Sequence, residues 1–265
     1  NHANMIDWCR LARARTVVVP HADLDAIDTA LDCVTTDRAL VLTEGVYSMG
    51  GDVAPVGELV EIAHRHGALV VVDDAHGIGT VGPTGRGATE ELPASQRPDV
   101  LLGTASKALG VEGGFACVDE TLATLMRNCA RGYVFSSAPS PVVAAGVAAA
   151  VEYLRTDTRR VCSLQANVAQ TRLLLAEADL IPPSAAHDRG PIIRIPVGPE
   201  SRAVAAQEEL ARRGLMVGAI RYPAVARGDA ILRICLTARH TDEHIRILVT
   251  SLREVLDGAL SDAPR

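Results

Sequence analysis

Ala68-Leu69-Val70-Val71-Val72 is a continuous apolar run that stops abruptly at two acids, Asp73 and Asp74. A strand that is apolar on both faces belongs in the middle of a parallel sheet with helices packed over it. Parallel neighbours need long crossover connections, usually helical, so this one run already points to an α/β chain. Ala39 to Thr43, Val100 to Leu102 and Phe115 to Val118 read as further strands, and Thr16 to Val19 as a short β-branched one. Helical stretches lie between them. Asp23 suits the N-cap of one; another begins at Pro55, which suits a first helical turn, and stops at Gly67. Short strands alternating with helices predict right-handed crossovers. In such sheets ligands sit beyond the carboxyl ends of the strands, where Asp73 stands.

The texture changes from about Pro139. Val142 to Leu154 is rich in Ala and Val and reads as a helix, and Thr158 to Ala178 as a second, more amphipathic one. After Pro182-Pro183 come strand Ile192–Val197, helix Arg202–Arg213, strands Met216–Ile220 and Ile231–Leu236, and a closing helix Asp242–Leu256. The boundary is placed near residue 157. Residues 1–157 then form a large α/β domain with a mainly parallel sheet covered by helices, and 158–265 a smaller α+β domain. Aromatic residues are only 3% of a chain that is 48% hydrophobic, so both cores must be built from Val, Leu, Ile and Ala.

A net charge of -6 leaves no electrostatic footprint for nucleic acid. No apolar run approaches the length of a membrane span, and no signal peptide opens the chain. Six scattered cysteines without a CxxC pair predict reduced, mostly buried thiols of a cytoplasmic protein and no zinc site. Asn1-His2-Ala3-Asn4 runs straight into apolar positions without an initial methionine, as in a segment of a longer chain, and Ser261 to Arg265 read as frayed.

Lys107 is the only lysine in the sequence, and it lies in a loop of small residues, Gly103-Thr104-Ala105-Ser106-Lys107-Ala108-Leu109-Gly110, just after the apolar Val100 to Leu102. A chain that uses arginine for its other basic positions and keeps one lysine here suggests chemistry by the amine. Lysine, unlike arginine, can be freed as a nucleophile for Schiff-base formation. Asp73 ends its strand 34 residues earlier, about one strand-crossover-strand unit away, so the two groups are expected at one site.

Gly77-Ile78-Gly79-Thr80-Val81-Gly82 matches the G-x-G-x-x-G of dinucleotide sites. That fingerprint must open a helix, and Pro83-Thr84-Gly85-Arg86-Gly87 follows instead, so the nicotinamide reading is rejected. Asp73-Asp74-Ala75-His76 fits a metal ligand pair, an acid–base pair, or a carboxylate holding the ring nitrogen of a heterocyclic cofactor. The metal reading lacks further ligands at suitable spacing, since His64 and His66 do not share a helix face. A carboxylate that keeps a pyridine ring protonated makes the ring an electron sink, and this reading fits best.

Four segments then occur in order: Thr43-Glu44-Gly45-Val46-Tyr47-Ser48-Met49-Gly50-Gly51-Asp52, Val72-Asp73-Asp74-Ala75-His76-Gly77, Gly85-Arg86-Gly87 and Thr104-Ala105-Ser106-Lys107-Ala108-Leu109-Gly110. Together they resemble the α-oxoamine synthases, pyridoxal-phosphate enzymes of fold type I that condense an amino acid with an acyl-CoA and release CO2 and CoA. The resemblance runs from His2 to about Leu256. It implies that Lys107 forms the Schiff base with the cofactor, that Asp73 pairs with the pyridine nitrogen, and that His76 reaches the phenolic oxygen. It also implies cofactor contacts from Ser48 and Thr104, with Thr104 at the phosphate, and a stacking, substrate-facing role for His2. Ser136 and Ser137 are similar to the segment that reaches the phosphate of the neighbouring subunit, which implies a homodimer with shared sites. Arg233 matches the arginine that binds the amino-acid carboxylate through its planar fork; Arg221 reads equally as a second substrate contact or a surface residue.

Ala219-Ile220-Arg221 resembles the 8-amino-7-oxononanoate synthase branch, whereas Tyr222-Pro223-Ala224-Val225 resembles the glycine C-acetyltransferases. The amino-terminal part of the family, with a Gly-aromatic pair and part of the acyl pocket, has no counterpart in these residues. Two other readings stand beside the condensing enzyme: a fold type I aminotransferase or aldolase, and a truncated partner subunit without turnover.

Overall fold

Helix α1 (Ala3–Leu11) has His2 at its N-cap position, with the ring nitrogen Nδ1 3.4 Å from the Asn4 main-chain nitrogen. In this computed structural model residues 1–36 and 38–261 are described. Met5 is the buried residue of α1, while Ile6 and Trp8 are exposed. No helix is expected here from sequence, since a histidine stands at the cap where Ser, Thr or Asp is usual. Thr16 to Val19 forms no strand, and Val17 and Val18 are exposed. β-Branched residues favour an extended backbone, but a strand needs a partner to pair with.

Helix α2 (Leu24–Asp32) starts where expected, with Asp23 accepting the Ala26 N–H at 2.9 Å. Strand β1 (Leu40–Glu44), helix α3 (Val56–Arg65), strand β2 (Leu69–Asp73), strand β3 (Val100–Thr104) and strand β4 (Gly114–Cys117) follow. The sheet order is β1-β2-β3-β4, and the first three strands are parallel. Val70 and Val72 are wholly buried against Ile27 and Leu31 of α2 and Leu59, Val60 and Ala63 of α3. The opposite face is less covered, with Val71 half-buried and Leu69 exposed, so β2 is not the doubly buried strand its composition predicts.

β4 corrects a second expectation. It runs antiparallel to β3, pairing Gly103 with Phe115 and Thr104 with Gly114, and most of it is exposed. The link Ala105–Gly113 is too short for a parallel crossover, which needs about a dozen residues. Helices α4 (Glu120–Cys129), α5 (Arg131–Val134) and α6 (Pro141–Thr156) complete the first compact unit, which comprises Asn1–Ser48 and Val53–Thr158. Asp119 caps α4, and Ser140 caps α6 ahead of Pro141. None of these three helices buries a residue.

The second unit joins Met49–Asp52 to the chain from Arg159 onward. It holds α7 (Arg159–Glu177), β5 (Ile192–Gly198), α8 (Glu200–Arg212), β6 (Gly218–Ile220), β7 (Ala230–Cys235) and α9 (Asp242–Ser261). The strands form an antiparallel sheet in the order β5-β7-β6. Its core packs Leu164, Val168, Ile193, Ile195, Leu210, Leu232 and Leu252. Gly51, at φ +78°, lies so close to β5 that an added Cβ would stand 1.9 Å from Ile192 O.

The fraying expected of the chain end falls on 262–265, outside the described residues. The cysteines differ from expectation: all six are free, but Cys33, Cys117, Cys129, Cys162 and Cys235 are exposed and Cys9 is partly buried. Among the described residues no helix is long and apolar enough to cross a membrane.

Candidate active site

The carboxyl ends of β1, β2 and β3 are held level by bonds that continue past the ladders. Gly45 N donates to Asp73 O at 2.8 Å, and Asp74 N to Leu102 O at 2.9 Å. Glu44 and Asp73 are register partners on adjacent parallel strands, so two carboxylates end neighbouring strands side by side. Ala75 N–H donates to Asp73 Oδ1 at 3.0 Å and fixes that carboxyl. Glu44 is buried and accepts from Ser48 N–H at 2.9 Å and Ser48 Oγ at 3.4 Å, which sets the turn after β1.

After β3 the chain makes the lysine-bearing loop. Ala105 N donates to Gly113 O and Val111 N to Ala105 O, each at 2.8 Å. Thr104 Oγ1 donates to Gly113 O at 3.2 Å and accepts from Ser106 N at 3.2 Å. Ala105 and Leu109 are buried and anchor the loop, which leaves Ser106, Lys107 and Ala108 outward and exposed.

His2, Glu44, Asp73, His76, Thr104 and Lys107 line a single cavity of about 500 Å3, along with residues of α1 and β4. The His2 ring nitrogen Nδ1 stands 2.8 Å from Asn4 Oδ1, which orients the imidazole. Five of the residues singled out in the sequence therefore line one open cavity: His2, Asp73, His76, Thr104 and Lys107. Ser48 reaches it through Glu44. Ser136 and Ser137 do not line it; both are exposed, and Ser136 Oγ donates to Gly132 O. Arg221 and Arg233 belong to the second unit. Arg221 is exposed, while Arg233 sits on the central strand β7 opposite Arg194, with its guanidinium 2.9 Å from Cys235 Sγ. Gly77 to Gly82 forms successive turns and opens no helix, so no dinucleotide cradle exists there.

Glu44 has no role in the sequence reading. Its signal is present all the same, as an acid that ends an apolar strand just as Asp73 does. Asp74 is the other addition. It is fully buried, and its carboxyl is pushed up to about 7, chiefly by burial and in smaller part by the Asp73 charge, against the opposing Ala88 and Gly77 N–H groups. The folded chain thus holds this proton more tightly than the unfolded chain, so stability falls as pH rises from about 4 through about 7. Over that window the loss is up to roughly 4 kcal/mol. Asp74→Asn is expected to flatten this slope in urea-unfolding midpoints measured between pH 5 and 8; an unchanged slope would place the titration elsewhere.

A mainly parallel α/β sheet with an amine-bearing loop and strand-end carboxylates around one cavity defines the class. The chain belongs to the family of class I and II aminotransferases, which matches residues 1–252. A biotin biosynthesis bifunctional protein, BioWF, of Cutibacterium acnes (strain DSM 16379 / KPA171202) is 98% identical over 265 residues, spanning 100% of this chain and 41% of that protein. An 8-amino-7-oxononanoate synthase of Halorhodospira halophila is 44% identical, over 100% of this chain and 64% of that one. The chain thus spans about two-fifths and about two-thirds of the lengths of these relatives. Among solved structures, serine palmitoyltransferase from S. paucimobilis with a bound PLP–myriocin aldimine superposes with a TM-score of 0.91 at 28% identity, over 98% of this chain and 66% of that one.

Proposed function

We propose that the cavity binds pyridoxal phosphate and serves a decarboxylative condensation of an amino acid with an acyl-CoA, of the 8-amino-7-oxononanoate synthase type in biotin synthesis. The observation that carries this reading is the meeting of the only lysine with Asp73 and His76 in one cavity. The donor set fits the cofactor. It offers a primary amine for an aldehyde, a carboxylate for a ring nitrogen, imidazoles for an oxygen and a ring face, and a hydroxyl for a phosphate. The volume lies within the roughly 300–1,000 Å3 usual for such sites. The names of the relatives support the reaction type and the pathway.

When bound, pyridoxal phosphate supplies an electron-withdrawing ring that takes up the electron pair left at the substrate's α-carbon. The chain's own residues do the rest. Lys107 Nζ would hold the cofactor and supply the amine that takes and returns a proton at the substrate's α-carbon. Asp73, pinned by Ala75 N–H, keeps a proton on the ring nitrogen. His76 would donate to the phenolic oxygen, His2 would lie against the ring, and Glu44, which accepts from Ser48, would orient that hydroxyl toward the cofactor. Thr104 closes the lysine loop and would contact the phosphate. By the family resemblance Arg233 would bind the substrate carboxylate, and Arg221 would be a second contact.

A homodimer in the cytoplasm completes the proposal, with Ser136 and Ser137 serving the partner's site. The exposed Tyr133, Phe135 and Val142 near them support a covered surface, and free cysteines support a reducing compartment. Sedimentation at a monomer's mass under assay conditions would remove the dimer. The function is tested by thiol release from acyl-CoAs across a panel of amino acids. Amino-acid-dependent release of CoA is the expected result; amino transfer from a keto acid without CoA release would assign the site to another reaction of the fold.

A further inference from the structure

Asp74 takes no part in the chemistry above, yet it is fully buried one residue beyond Asp73. Its Oδ2 accepts the Ala88 N–H at 2.8 Å, while Oδ1 makes no well-formed hydrogen bond, although the Gly77 N–H is near enough to favour the charged carboxyl weakly. The nearby Gly77 N–H donates to the Asp74 main-chain oxygen instead, at 3.1 Å. Burying a carboxyl with one oxygen unmatched is unfavourable, and such features concentrate where function requires them.

Three separate turns close on this carboxyl without side chains. A Cβ added at Gly45 would lie 2.1 Å from Asp74 Oδ1, one at Gly77 2.0 Å from Oδ1, and one at Gly87 1.9 Å from Oδ2. At Gly77 the three nearest atoms are all from the Asp74 carboxyl group. Gly45 leads into the turn that carries Ser48, Gly77 directly follows His76, and Gly87 follows Arg86. One side chain thus fills the space that three loops leave beneath the site.

We propose that Asp74 is a positioning residue: its carboxyl sets the spacing of the turns at Gly45, Gly77 and Gly87, and so fixes where Ser48, Asp73 and His76 meet the bound cofactor. This rests on the reading of the cavity as a pyridoxal phosphate site. The charged or titratable groups on the elements around it are Glu44, Asp73, His76, Arg86 and Glu90, and Asp73 is the one whose charge acts on it. Because burial brings Asp74 to about 7, a second negative charge grows beside Asp73 as pH rises through neutrality. That charge tightens the hold on a protonated ring nitrogen.

Two sets of measurements on the full chain test the proposal. The first uses melting curves without cofactor, for Gly77→Ala, Asp74→Ala and the double variant. Gly77→Ala is expected to lower the melting temperature in the native background and to cost much less once Asp74 is alanine. Equal cost in both backgrounds would overturn the spacing claim. The second uses the visible absorbance of added pyridoxal phosphate and thiol release across pH. Wild type is expected to show an inflection near pH 7 that Asp74→Asn lacks. Asp74→Ala is expected to lose on the order of a hundredfold in kcat with KM little changed. An Asp74→Asn profile that keeps the inflection, or an Asp74→Ala with wild-type kcat, would overturn the positioning role. Failure of wild type itself to bind pyridoxal phosphate would overturn the cofactor reading and the positioning role together, while the melting cycle still decides the spacing claim.

Discussion

Lys107→Ala and Lys107→Arg are both expected to abolish thiol release and the visible absorbance of bound pyridoxal phosphate. The loss in rate is on the order of 10^3-fold or more, as for removal of a proton-transfer group together with covalent attachment. No other side chain can substitute, because the sequence has no second lysine. Arginine is the informative control. It keeps the positive charge in the loop, but its guanidinium stays protonated and cannot form the carbon–nitrogen double bond. Turnover in Lys107→Arg would reduce the role of this position to charge alone. Stability is expected to change by no more than about 0.5 kcal/mol in either variant, since Lys107 is exposed and the loop is anchored by Ala105 and Leu109. Retained melting with lost chemistry is therefore the signature to look for.

Arg172→Ala is expected to have the largest effect on stability, about 3–5 kcal/mol. The Arg172 side chain is only 2% exposed. Its guanidinium donates to Ala185 O at 3.1 Å, Gly190 O at 3.1 Å and Ile192 O at 2.9 Å, and it pairs with Asp188 at 3.4 Å. It thus ties α7 to the turn at Pro183–His187 and to the start of β5. Burial lowers its pKa while Asp188 and Asp52 oppose that shift. Removing it leaves several main-chain carbonyls buried without donors, each costing about 1–3 kcal/mol before relaxation. Arg172→Lys is expected to recover only part of the loss, because an ammonium cannot span the fork of three carbonyls. Urea unfolding followed by circular dichroism measures this; a shift below 1 kcal/mol in Arg172→Ala would show that the carbonyls find water instead.

The strands around the site were legible because each is a short apolar run with a sharp polar end, which is local information. For the same reason Asp73 and Lys107 could be placed at neighbouring strand ends from spacing alone. The direction of β4 was also legible in principle, since Ala105–Gly113 is too short to cross over, but its apolar composition suggested a buried parallel strand. Burial was less readable. Asp74 looks like a duplicate of Asp73 until three glycine turns are seen to close on it, and Arg172 looks like any polar residue of an amphipathic helix. Both depend on main-chain atoms brought from distant positions. Attachment of Met49–Asp52 to the second unit rests on Gly51 meeting Ile192, a contact no local pattern signals. The exposed cysteines and the bare surfaces of α4 to α6 likewise follow from tertiary arrangement rather than composition.

Covalent attachment at Lys107 is the central claim, and a chain with a single lysine allows an unusually clean test. The full chain is mixed with pyridoxal phosphate, reduced with borohydride, digested and mapped by mass spectrometry. The expected result is a stoichiometric pyridoxyl mass on the peptide that contains Lys107, absent from Lys107→Arg. No adduct, or an adduct confined to the amino group that opens the chain, would contradict it.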